Sequence, residues 1–73
     1  MKEFTISILN SLFLNCNFAP GLIVEKLKTF TDGKYNITEQ HDHEKALIKV
    51  GNHIIINMML SDRGYIKSID ITK

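Results

Sequence analysis

The chain has 73 residues, a formal net charge of +1 and 44% hydrophobic residues, so we expect residues 1–73 to form a single domain. Its nine basic and eight acidic residues are interspersed, without the clustered basic surface that is typical of nucleic-acid-binding proteins. No apolar run approaches the roughly 20 residues that span a bilayer. The composition therefore argues against a nucleic-acid partner and against a membrane location.

Cysteine usage and the N-terminus indicate the compartment. Cys16 is the single cysteine, so no disulfide can form within one chain, which is typical of a reducing environment. The first residues lack the basic and apolar regions of a signal peptide, and we therefore expect a cytoplasmic location. The abundance of isoleucine, lysine and asparagine is typical of AT-rich coding sequences, such as those of phages and other mobile elements.

The first element is predicted to be an amphipathic helix near residues 3–16. At about 100° per residue, one arc is continuous and apolar. Its members are Ile6, Ile8, Leu9, Leu12, Phe13 and Cys16. This pattern predicts that Cys16 packs in the core as a small hydrophobic residue. The alternative is a strand at Phe4–Ile8, which would change the fold to a βαβββ order.

A second helix is predicted near residues 20–31. Pro20 suits the first helical position, where its missing N–H costs nothing, and Gly33 supplies a stop. The side predicted to face the core carries Ile23, Val24, Leu27 and Phe30.

The rest of the chain alternates apolar and polar residues, which predicts antiparallel strands near 35–40, 45–50, 54–60 and 65–72. Gly51-Asn52 would suit a two-residue turn. A three-residue loop at 51–53 instead aligns apolar residues with each other, pairing Val50 with Ile54, Ile48 with Ile56 and Ala46 with Met58. We favour this second register because burying one isoleucine is worth roughly 1.5–3 kcal/mol.

A four-residue loop at 61–64 sets the last hairpin, with Leu60 opposite Tyr65, Ile56 opposite Ile69 and Ile54 opposite Ile71. The predicted core face comprises Ala46, Ile48, Val50, Ile54, Ile56, Met58, Leu60, Tyr65, Ile69 and Ile71. The fold class is therefore α+β, with two N-terminal helices packed on one face of a three- to four-stranded antiparallel meander.

The opposite face of the predicted sheet carries several large apolar side chains. Its members are Leu47, Lys49, Ile55, Asn57, Met59, Ile66, Ser68 and Asp70. Contiguous apolar surface on a small protein often marks an interface, and Arg63 at a hairpin tip could contact an anionic group of a partner. The predicted partner-binding residues are Leu47, Lys49, Ile55, Asn57, Met59, Arg63 and Ile66.

A histidine cluster raises the question of a metal site. His41 and His43 are two residues apart, as on one side of an extended strand, and His53 could add a third ligand. His53 is expected at the far end of the next hairpin, too distant to join them. We therefore expect a polar loop, no bound metal and no other cofactor.

The sequence contains no phosphate-binding loop, paired catalytic carboxylates or serine–histidine–aspartate order, and we expect no enzymatic activity. The favoured function is a small protein-binding module that acts by stoichiometric association with another protein or with itself. An inhibitor or antitoxin-like protein of a phage or mobile element would have these properties. Two alternatives are a nucleic-acid-binding regulator and a small metal-binding protein that uses the histidines. No small-molecule substrate is evident.

Overall fold

A computed structural model describes residues 5–72 of the chain. Two helices precede four strands, with the bounds α1 Ile6–Phe13, α2 Pro20–Phe30, β1 Ile37–His41, β2 Lys45–Val50, β3 Ile54–Leu60 and β4 Ile66–Thr72. The strands form one antiparallel sheet in the order β1-β2-β3-β4. This confirms the predicted α+β meander with N-terminal helices. It also excludes the βαβββ alternative, because residues 6–13 are helical.

Helix α1 is shorter than the predicted 3–16, and residues 3 and 4 lie outside the described part of the chain. The helix begins after Thr5, whose side-chain oxygen accepts a hydrogen bond from the Ile8 N–H at 3.1 Å. It ends at Phe13 because Leu14 is extended and Asn15 takes a left-handed φ of 65°. The predicted burial of Cys16 is wrong, since the residue follows the helix and is exposed.

The residues after α1 leave the helix in order to pair with the sheet. The Asn15 N–H donates to the Ile66 carbonyl at 2.8 Å, and the Ile66 N–H donates to the Cys16 carbonyl at 2.9 Å. Asn17 also forms an isolated antiparallel bridge with Tyr65. Residues 15–17 therefore cover the beginning of the free edge of β4.

Helix α2 follows the prediction closely. Pro20 occupies the start of the helix, and Ile23 and Leu27 are buried. At its end the Thr31 hydroxyl donates to the Leu27 carbonyl at 2.9 Å. Gly33, with a φ of 71°, donates its N–H to the Lys28 carbonyl at 2.8 Å, which satisfies a carbonyl that the helix leaves unpaired.

The hairpin between β2 and β3 has the predicted three-residue loop, with Val50 opposite Ile54, Ile48 opposite Ile56 and Ala46 opposite Met58. Gly51 adopts a φ of 65°, and a Cβ at this position would lie 3.0 Å from the Tyr35 ring. The turn therefore needs glycine both for its backbone conformation and for the close approach of Tyr35.

The predicted register of the hairpin between β3 and β4 is wrong. Leu60 lies opposite Ile66 rather than Tyr65, and Ile56 lies opposite Ile71 rather than Ile69. The loop is longer because Ser61 closes it, donating its N–H to the Tyr65 carbonyl at 2.8 Å and accepting the Tyr65 N–H on its hydroxyl at 3.0 Å. Lys67 is then an extra residue between the pairs Leu60–Ile66 and Met59–Ser68, which is the arrangement of a β-bulge.

The bulge exchanges the faces of the residues on its loop side. Because side chains alternate along a strand, one extra residue reverses the direction of those before it. Ile66 is therefore fully buried in the core, although it was predicted on the opposite face. Tyr65, predicted in the core, is 42% exposed. Beyond Lys67 the observed pairing differs from the predicted one by two residues. Since side chains alternate with a period of two, Ile69 and Ile71 point to the face that was predicted for them.

The core lies between the helices and one face of the sheet, with α1 against β4 and α2 against β1. Its buried residues are Leu9, Phe13, Ile23, Leu27, Ile37, Ala46, Ile48, Val50, Ile56, Met58, Leu60, Ile66 and Ile69. Both helices therefore pack on the same side, and the other side of the sheet, here called the outer face, is left without a second layer from residues 5–72.

Candidate protein-binding face

Three rows of side chains cross the outer face. Strand register gives the rows Thr38–Lys49–Ile55–Thr72, Gln40–Leu47–Asn57–Asp70 and Lys45–Met59–Ser68. Directly opposite residues in antiparallel strands have Cβ atoms about 4.5–5.5 Å apart. The outer face is thus a regular array whose members are fixed by backbone pairing.

Leu47, Ile55 and Met59 form an apolar patch at the centre of this array. Leu47 lies opposite Asn57, so Ile55 and Met59 are its two diagonal neighbours, a spacing of roughly 7–8 Å that large side chains can bridge. Leu47 and Ile55 are half-buried, and Met59 is 44% exposed. The patch is therefore smaller than the predicted one, because Ile66 faces the core.

Charged residues surround the patch with opposite signs on its two sides. Lys49 lies opposite Ile55 and Lys45 lies opposite Met59, both on β2, whereas Asp70 lies opposite Asn57 on β4. Within residues 5–72, none of these three side chains forms an ion pair. The Asp70 carboxylate accepts the N–H of Ile71 at 3.0 Å. All three charges are exposed and remain open to a partner.

Arg63 is exposed at the tip of the loop between β3 and β4. This loop lies at the same end of the sheet as the turn between β1 and β2, and the Leu60 N–H donates to the Glu44 carbonyl at 2.8 Å. Arg63 is therefore at the end of the sheet that carries Lys45 and Met59.

His41 interacts with Glu39 rather than with the other histidines. Its Nδ1 lies 2.5 Å from the Glu39 Oε1, and the Phe18 ring packs edge-on against the imidazole at a centroid distance of 5.0 Å. Glu39 and His41 lie opposite Ile48 and Ala46, which are core residues. The pair therefore lies on the helix side of the edge strand β1.

The other two histidines lie apart from this pair. His43 is exposed in the turn after β1, with its Nε2 3.9 Å from a Glu44 carboxylate oxygen. His53 is exposed in the turn between β2 and β3, at the opposite end of the sheet. Among residues 5–72, no group of three histidine, cysteine, aspartate or glutamate side chains could hold a metal ion.

Asp42 organises the turn between β1 and β2. Its carboxylate accepts the Glu44 N–H at 2.7 Å and the Lys45 N–H at 2.9 Å. These hydrogen bonds, that of Glu44 foremost, hold the pKa of Asp42 below its usual value because they stabilise the ionised form. The turn fixes the start of β2 and thereby the position of Lys45 beside Met59.

Two features of this region were missed in the sequence. Lys45 lies two residues before Leu47 on β2, so its side chain points to the same face as those of Leu47 and Lys49. Continuing the alternation of the strand from Leu47 back to Lys45 would have placed it on the outer face. Glu39 and His41 have the same spacing as the His41 and His43 pair, but β1 ends at His41, so only the first pair shares a strand face.

The chain matches no protein-family model, no curated protein and no solved structure. None of the helices within residues 5–72 is long and apolar enough to span a membrane.

Proposed function

We propose that this chain is a small cytoplasmic protein-binding module whose outer face docks on a partner protein in fixed stoichiometry. The observation that supports the proposal is the apolar patch of Leu47, Ile55 and Met59, which lies in the middle of a sheet face without a second layer from the described residues. An inhibitor or antitoxin-like role of a phage or mobile-element protein fits this mode of action.

The chemistry of the face favours a protein over other ligands. Its centre is apolar and its rim carries Lys45, Lys49 and Asp70, so both signs of charge are present, as in the polar rim of a protein interface. The Asp70 carboxylate would repel the phosphates of a nucleic acid, which are bound by basic residues.

The apolar patch is pre-organised for binding, because the backbone of its residues is held in paired strands. Leu47, Ile55 and Asn57 are already half-buried, and the ladder of β2 with β3 fixes their backbone. A partner therefore covers apolar surface with little further loss of backbone freedom. Complete burial of side chains of this kind is worth about 1.5–3 kcal/mol each relative to full exposure.

Binding should depend on Met59 and Ile55. We expect Met59→Asp and Ile55→Asp to weaken retention of the partner roughly 30-fold or more, the effect of losing an interface hot spot of about 2 kcal/mol. The measurement is capture by the immobilised chain from extract of the cells that produce it, with and without nuclease treatment, and light scattering determines the stoichiometry of the eluted complex.

Leu22→Asp is the matched control, because Leu22 is a large exposed apolar residue on α2 rather than on the outer face. The proposal requires a protein that is retained by the wild type and by the Leu22 variant but lost from both outer-face variants. A nucleic-acid binder would behave differently. Its retention would be unchanged by the Ile55 and Met59 substitutions and would be lost after nuclease treatment. It would also weaken with salt and depend on the basic residues Lys26, Lys28, Lys34 and Lys67.

A further inference from the structure

Strand β1 is an edge strand with hydrogen-bonding groups that face away from the sheet. It is the first strand in the order β1-β2-β3-β4, so only β2 pairs with it. At its two ends the Asn36 carbonyl accepts the Gly51 N–H at 2.8 Å, and the Asp42 N–H donates to the Lys45 carbonyl at 2.9 Å. The even-numbered residues therefore turn their backbone groups toward β2.

The odd-numbered residues of β1 turn theirs outward, because the direction of backbone N–H and C=O groups alternates along an antiparallel strand. These residues are Ile37, Glu39 and His41. Such an open edge is a template for another strand.

The opposite edge of the sheet is less open. Both backbone groups of Ile66 on β4 are hydrogen-bonded to residues 15–16, and the bulge at Lys67 interrupts the strand next to them. Bulges and covering segments are devices that prevent edge pairing. On β1 the described residues contain neither, so β1 is the edge available for pairing.

The side chains of β1 are complementary to a second copy of the same strand. Glu39 and His41 point to the same side, and their side chains are 13% and 44% exposed. In an antiparallel pair of two β1 strands centred on Gln40, each Glu39 lies opposite the other copy's His41. A carboxylate then faces an imidazole twice, related by a two-fold axis.

The alternative registers lack this match. Centring the pair on Glu39 places two carboxylates directly opposite each other, which is unfavourable in a sheet. Centring it on Thr38 moves His41 beyond the opposing strand, which begins at Ile37. Centring it on His41 pairs Glu39 with the other copy's His43, which lies beyond the end of β1. Only the register centred on Gln40 pairs an acceptor with a donor at two symmetric positions within the strand.

We propose that two copies of this chain associate through β1, in antiparallel register centred on Gln40, to form a continuous eight-stranded sheet. The two-fold axis is perpendicular to the sheet, so all four helices lie on one side and the two outer faces are continuous on the other. The pairing uses no residue of the apolar patch, and it stands whether or not the outer face binds a partner.

Complementary charge variants test this register. His41→Glu places two carboxylates at each symmetric contact, and the double variant Glu39→Lys with His41→Lys places two ammonium groups there. Each variant alone should associate at least about tenfold more weakly than the wild type, since attraction is replaced by repulsion at two positions. An equimolar mixture should recover a heterodimer, as measured by sedimentation equilibrium with one variant fluorescently labelled.

The controls separate this edge from other surfaces. Asp62→Lys changes an exposed charge in the loop between β3 and β4, and Ser11→Glu changes an exposed residue of α1, the helix that packs against β4. Both positions are away from β1, so both variants should self-associate like the wild type. A wild type that stays monomeric up to millimolar concentration overturns the proposal. Variants that self-associate like the wild type, or a mixture that does not recover the dimer, also overturn it.

A backbone variant gives an independent readout. Glu39→Pro removes an N–H that points away from β2, so the β1–β2 ladder keeps its hydrogen bonds while the edge loses a donor. Glu39→Ala loses the same side chain and keeps the N–H. Weaker dimerisation of the proline variant than of the alanine variant, with both folded by circular dichroism, is the expected result, and equal dimerisation contradicts edge pairing.

Discussion

Ile66→Asp should leave the chain largely unfolded at room temperature, whereas Ile55→Asp should still unfold cooperatively on heating. Ile66 is fully buried in a cluster whose described members are all apolar. An unpaired carboxylate in such a place costs several kcal/mol. A single hydrophobic core of a chain this small rarely supplies more than about 3–5 kcal/mol of stability, so we expect one such substitution to exceed it.

Ile55 is the matched control because it is an isoleucine of the same sheet on the outer face, and half-buried. Thermal unfolding followed by circular dichroism compares the two variants. An Ile66 variant that stays as well folded as the Ile55 variant would place Ile66 on the outer face and would mean that Lys67 is not a bulge.

Leu27→Ala should lower the free energy of unfolding by about 2–5 kcal/mol, the range for removing a buried leucine side chain. Leu27 is fully buried in α2, and that helix packs against β1. The truncation therefore leaves a cavity in the layer that joins the helices to the sheet. Urea unfolding measures the change.

Leu22→Ala in the same helix should change the free energy of unfolding by less than about 0.5 kcal/mol, since Leu22 is 52% exposed. The two variants share a helix and a substitution, so differences in helix propensity cancel. Equal effects in the two variants would contradict the packing of α2 on the sheet through Leu27.

Much of the fold could be predicted from periodicity. In α2 the buried residues Ile23 and Leu27 are four residues apart, the spacing of one helical face. In β2 and β3 buried residues such as Ile48 and Ile56 recur at every second position, the spacing of one strand face. The three-residue loop at 51–53 was also predictable, since it alone aligned apolar residues. In these places, local pattern and burial favour the same structure.

The errors arose where backbone hydrogen bonds overrule periodicity. At the loop 61–65, closure by Ser61 and the bulge at Lys67 exchange the faces of Tyr65 and Ile66. At the end of α1, pairing of residues 15–16 with Ile66 takes Cys16 out of the helical arc. Neither interaction leaves a pattern in the residues before the fold is known.

The same distinction applies to the candidate face. Leu47, Ile55 and Met59 were predictable because β2 pairs with β3 without a register shift, and Ile66 was not because it lies beside the bulge in β4. The pair of Glu39 and His41 needed the end of β1 to be known, since the alternative pair of His41 and His43 has the same spacing.

Protection of position 59 inside cells is the most direct measurement of whether the outer face is covered by a partner. In a background of Cys16→Ser, which removes the exposed natural thiol, Met59→Cys and Leu22→Cys each provide one reactive group. A membrane-permeant maleimide is applied to intact cells that produce the chain and to the purified variants.

We expect the Met59→Cys thiol to react several-fold more slowly in cells than in purified protein, because the partner covers it, while the Leu22→Cys thiol reacts equally in both. Equal reactivity of the Met59→Cys thiol in cells and in purified protein would contradict docking through the outer face.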